Sequence, residues 1–121
     1  MNRLIKEINN TDVKSGSLNI WWLGQEGYVI KSPDLVIYID PYLSTYAERI
    51  TLGKPNEHVR MMKSPILPED VTNADLVLCT HDHADHIDPE AGYSSGNTGN
   101  GIEQSTLPST RSIGFNLKVG F

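Results

Sequence analysis

The sequence predicts an α/β domain, and three observations carry that prediction. Aromatic and β-branched residues crowd into short runs between Leu18 and Asp40, an apolar run of strand length fills Asp75–Thr80, and a proline followed by two acids opens a helical turn ahead of that run. Leu18–Leu23 and Tyr28–Ile30 read as two paired strands, with Gly24 and Gly27 punctuating the turn between them. Ser32-Pro33-Asp34 closes a second turn, and Leu35–Asp40 reads as a third strand stopped by Pro41, which cannot donate to a ladder. Trp21 and Trp22 are expected to pack on the sheet rather than to stack on a substrate. Asp40 is more informative: carboxylates avoid burial unless paired, so an aspartate ending an apolar strand is expected to meet a histidine, a loop amide or a metal.

Residues 42–67 have no sustained period and contain Gly53, Pro55 and Pro65, which reads as a long irregular excursion. Within it Lys54, His58, Arg60 and Lys63 form a local basic patch in a chain of net charge −5. Such a patch could hold an anionic group such as a phosphate, although a solvated face is the commoner outcome. Pro68-Glu69-Asp70 suits the first turn of a short helix leading into the Leu76 strand. That strand is apolar throughout, so it is expected to be buried on both faces and central in a sheet, with Cys79 a packing residue.

The densest chemistry follows at once. His81-Asp82-His83-Ala84-Asp85-His86 gathers three of the four histidines and two aspartates into six residues. Imidazole and carboxylate are the ligand set that cations such as Zn²⁺ accept, and an open position would leave room to activate a water. If the backbone stays extended, His81 and His83 at i and i+2 share a side and can reach one ion. Asp85 and His86 follow a turn, which suits them to a second ion. Asp82 is left to hydrogen-bond backbone or an imidazole, because ligand histidines normally donate their other nitrogen to a partner.

Length and composition bound these expectations. The 121 residues allow one small domain, and 38% hydrophobic with 21% charged residues is ordinary globular composition. The acidic balance argues against a nucleic-acid surface. A charged opening, Met1–Glu7, lacks an apolar stretch of signal-peptide length, which makes no membrane role and a cytoplasmic location the expectation. One cysteine excludes an internal disulfide.

Taken with Trp21–Ile30 and Val36–Pro41, the His-x-His-x-Asp-His run resembles the metallo-β-lactamase superfamily, and within it the L-ascorbate-6-phosphate lactonase-like branch. The resemblance covers roughly residues 17–90. It implies the amino-terminal half of an αββα sandwich, truncated, and a cytoplasmic metal-dependent hydrolase acting on a small-molecule substrate, anionic or phosphorylated. It further implies His81, His83, Asp85 and His86 as ligands of a divalent metal, Zn or Mn, with Asp40 bracing the histidine loop. A metal-bound hydroxide would attack a carbonyl, and Asp85 would be the catalytic residue that orients it. The resemblance implies further ligands, a third histidine for the first ion and a bridging aspartate and a histidine for the second, in a carboxyl-terminal half that this sequence does not match. The one remaining histidine, His58, lies upstream, so weak binding and little turnover are expected.

Asp88-Pro89-Glu90 opens like a helix, with an N-cap acid and proline at the first position, yet Gly92–Gly101 lacks helix formers and apolar periodicity. Six of the ten glycines lie beyond residue 91. This composition break predicts a composite chain: a partial metallo-β-lactamase-like domain over 1–90, then a Gly/Ser/Asn-rich linker and terminal strand over 91–121. The tail alternates apolar residues at Ile113, Phe115, Leu117, Val119 and Phe121, and resembles the carboxyl-terminal strand of TonB-dependent outer-membrane receptors. The competing expectations are a non-catalytic half-domain whose uncovered sheet associates with a partner or with itself, and a chimeric fragment in which the receptor-like tail is the meaningful part.

Overall fold

Four short strands make one mixed sheet in the computed structural model, which describes residues 1–91. The linker and terminal strand expected over 91–121 lie outside the described residues, apart from Ala91. The order is β1 (Asn19–Trp22), β2 (Tyr28–Lys31), β3 (Val36–Ile39) and β4 (Leu76–Leu78), neighbours in sequence being neighbours in space. The first two pairings are antiparallel and the third is parallel, with Ile37, Tyr38 and Ile39 opposite Leu76, Val77 and Leu78. β4 lies at the edge of the described sheet rather than at its centre. Its apolar run therefore does not report two strand neighbours.

The register sorts the side chains onto two faces. Trp21, Val29, Tyr38 and Val77 stand in one row across the sheet, and Val29, Tyr38 and Val77 are buried. α1 (Arg3–Asn10) covers that row with Ile5 and Ile8, both fully buried and three residues apart on one helical face. The charged opening thus forms an amphipathic helix that completes the core. Asn2 caps it, its side-chain oxygen accepting from Leu4 N at 2.8 Å, and Lys31 Nζ donates to the carbonyls of Ile8 and Thr11 at its far end, each at 2.7 Å. The opposite face carries Ile20, Trp22 and Tyr28, exposed at 61%, 55% and 41% among the described residues.

The excursion over 42–67 is less irregular than its composition suggests. It contains α2 (Tyr46–Thr51), whose Ala47 is buried, while Ile66 joins the core. The turn expected at Pro68–Asp70 forms a single 3₁₀ turn, with the Asp70 carboxylate accepting from Leu67 N at 2.8 Å. Among the described residues no helix is long and apolar enough to cross a membrane.

Candidate metal centre

Strand directions decide which loops meet. Because β1 runs in the same sense as β3 and β4, the carboxyl ends of all three lie at one edge of the sheet. That edge carries the β1–β2 turn, Asp40 and the loop 79–91, the side of a parallel sheet where ligand sites are usually built. The turn closes with Leu23 N donating to Gly27 O at 2.8 Å. Gly24 adopts φ 89°, and a Cβ on Gly27 would stand 3.2 Å from the Asp40 carbonyl oxygen, so the glycines let the turn sit directly against the end of β3.

Asp40 is 4% exposed and organises the loop after β4. Its carboxylate accepts from Thr80 N at 2.7 Å and from Thr80 Oγ1 at 2.8 Å, and lies 3.0 Å from His86 Nδ1. With Nδ1 turned to Asp40, His86 presents Nε2 to the other side, where Asp85 Oδ2 stands at 3.7 Å and Glu26 Oε1 at 3.9 Å. Glu26, Asp85 and His86 each offer a ligand atom within 4.8 Å of the others, a spacing that suits one cation. Glu26 Oε1 is shielded from solvent and has no hydrogen-bond partner among the described residues. A desolvated carboxylate oxygen without a donor fits a cation better than it fits this environment alone.

The other two histidines are adjacent but more exposed. His81 Nε2 and His83 Nδ1 lie 3.1 Å apart, and the His81 and His86 rings have centroids 3.7 Å apart. Thr80 Oγ1 reaches His81 Nδ1 at 3.0 Å. A turn brings Asp85 and His86 round, with His86 N and Ile87 N both donating to His83 O at 2.9 Å. Asp82 is exposed and has no hydrogen-bond partner among the described residues. Cys79 Sγ lies 3.5 Å from His86 O, and burial, with a smaller push from the Asp40 charge, raises its thiol to about 11. Its side chain packs against the hydrophobic core, the role its place in an apolar strand suggests.

The basic patch does not act as one unit. His58 Nε2 lies 3.6 Å from Asp85 Oδ2, at the centre itself. Arg60 donates to the carbonyls of Tyr42 at 2.8 Å and Met62 at 2.7 Å and lies over the Tyr42 ring. Its guanidinium thus holds the excursion closed. Arg60 and Lys63 both line a groove of about 680 Å³ that includes Ser44, Ser64 and Glu90 and none of the motif histidines. Lys54 is exposed in the turn after α2.

Asp88 has a larger part than a helix cap. It is fully buried and accepts from Leu43 N at 3.0 Å, Ser44 N at 2.7 Å and Ser44 Oγ at 2.8 Å, tying the loop after β3 to the loop after the motif. Glu90 N also donates to it at 3.1 Å, the bond an N-cap carboxylate makes, and residues 89–90 form a turn. Arg49 of α2 pairs with Glu90 in the same region. Sequence reasoning missed Glu26, Thr80 and this role of Asp88; only Glu26 carried a signal, as an acid in a glycine-flanked turn beside an apolar hairpin.

Comparison with known proteins agrees with this architecture. The beta-lactamase superfamily domain matches residues 19–112. A UPF0173 metal-dependent hydrolase of Archaeoglobus fulgidus is 33% identical over 70 residues, which cover 58% of this chain and 23% of that relative.

Proposed function

The chain belongs to the beta-lactamase superfamily, and from that premise we propose that it carries the metal-binding loop of a divalent-metal-dependent hydrolase acting on a carbonyl substrate of the lactone, ester or amide class. The observation that carries this reading is the set of His81, His83, Asp85 and His86 held at one edge of the sheet, with His86 turned by Asp40. A bound Zn²⁺ or Mn²⁺ would supply Lewis acidity and lower the pKa of a water to about 7. The chain's own residues supply placement. Asp40 fixes the His86 ring and Thr80 ties Asp40 to the loop. Asp85, half-buried beside His58, is the carboxylate placed to orient a water, and so the residue proposed as catalytic. Asp82 stays at the rim. An anionic substrate group would be met by Lys63, which lines the groove with Arg60.

The chain spans under a quarter of the relative's length, and the ligand atoms that converge among the described residues suit one cation held weakly, an incomplete site with slow turnover. Isothermal titration with Zn²⁺ and Mn²⁺, paired with a lactone hydrolysis assay, tests it. The expected result is binding of one cation, weakened in a His81→Ala/His83→Ala variant, with slow metal-dependent hydrolysis. Two tightly held cations with rapid turnover would contradict the incomplete site, and no binding would contradict the function. A second reading, self-association through the sheet, draws on the exposure of Ile20, Trp22 and Tyr28. Sedimentation velocity tests it: dimers that dissociate in Trp22→Lys would support it, and a monomer at all concentrations would oppose it.

A further inference from the structure

We propose that Glu26, supplied by the β1–β2 turn, is itself a cation ligand, so that the hairpin and the loop after β4 grip one ion between them. The proposal rests on the metal-dependent reading above and adds a residue that lies outside the histidine motif. Three observations carry it. Glu26 Oε1 is shielded from solvent and has no hydrogen-bond donor among the described residues. It converges with Asp85 and His86 within 4.8 Å. His86 is already turned by Asp40 so that Nε2 faces both carboxylates, the carboxylate–histidine–metal arrangement that fixes a ligand tautomer.

Charge makes the same point. Two carboxylates brought this close repel. A divalent cation would balance both. One imidazole with two carboxylate oxygens is a harder donor set than the His81–His83 pair, so it accepts Mn²⁺ as well as Zn²⁺. The consequence is mechanical as well as chemical: the ion would cross-link the first hairpin to the last described strand, and binding would stabilise the fold by mass action.

The test uses the full chain, with Glu26→Gln and Glu26→Asp, and Mn²⁺ as the probe. Affinity is followed by electron paramagnetic resonance of free Mn²⁺, and Tm is measured with and without the ion. Glu26→Gln is expected to weaken Mn²⁺ binding at least about tenfold, to lose most of the metal-induced rise in Tm, and to raise Tm without metal because the carboxylate repulsion is gone. Glu26→Asp should retain part of the affinity. A merely structural glutamate would lower the metal-free Tm instead. Equal Mn²⁺ affinity in wild type and Glu26→Gln would overturn this proposal while leaving the metal-dependent reading standing; failure of the wild type to bind either Mn²⁺ or Zn²⁺ would overturn both.

Discussion

Asp40 takes φ 44° at the end of β3, a left-handed conformation that aspartate tolerates better than most residues and that turns its carboxylate back towards the loop after β4. The strand end and the following Pro41 made this residue conspicuous in sequence, and its contacts with Thr80 and His86 give that position its chemical content. Asp40→Asn keeps the shape and removes the charge behind His86. It is expected to weaken cation binding about 10–100-fold, measured by isothermal titration, with an unchanged far-ultraviolet spectrum; unaltered affinity would detach Asp40 from the centre. Tyr38 offers a pH test of the core. Burial raises its phenol, whose O–H donates to Asn73 Oδ1 at 2.7 Å. The folded state therefore holds this proton more tightly than the unfolded chain does. Its contribution to stability is complete below about pH 10, the ordinary tyrosine value, and fades as pH rises towards the folded value. Denaturation series carried from neutral pH to above about pH 10 should show wild type losing stability faster than Tyr38→Phe, and parallel curves would contradict the assignment.

At the scale of elements, the sheet was legible because its strands announce themselves by residue type and their turns by glycine and proline. Tyr28–Lys31 and Val36–Ile39 fall within a residue or two of the runs that predict them. The helices were harder. α1 spans only eight residues, and its apolar face amounts to Leu4, Ile5 and Ile8, too few to stand out against its charges before the sheet that they cover is known. α2 is shorter still and held in part from outside, through Arg49 and Glu90. Asp88 looked like an N-cap because a cap and a buried anchor use the same carboxylate to collect backbone N–H groups; which loop supplies those groups depends on long-range contacts. Asp88→Ala would strand the Leu43 and Ser44 donors in a buried setting. Each orphan costs about 1–3 kcal/mol, so urea unfolding should show a loss of several kcal/mol, and a change below about 0.5 kcal/mol would contradict this role.

For the whole molecule, one layer of helix covers one face of the sheet, and the other face shows Ile20, Trp22 and Tyr28 to solvent among the described residues. Among the described residues the arrangement is a mixed four-stranded sheet with few helices, consistent with a part of the beta-lactamase fold. The centre sits where its strand directions bring the β1–β2 turn, the end of β3 and the His81–His86 loop to one edge. That convergence was only half visible in sequence. Six consecutive residues showed the histidine loop, whereas Glu26 and His58 reach it from far upstream, and it is topology rather than spacing that sets Asp85 beside both. Whether this edge holds a cation is decided by elemental analysis of the purified chain after equilibration with Zn²⁺ or Mn²⁺ and gel filtration, beside His81→Ala/His83→Ala. Divalent metal should remain bound to the chain and fall markedly in the variant; a chain as free of metal as its variant would contradict the assignment of a metal centre.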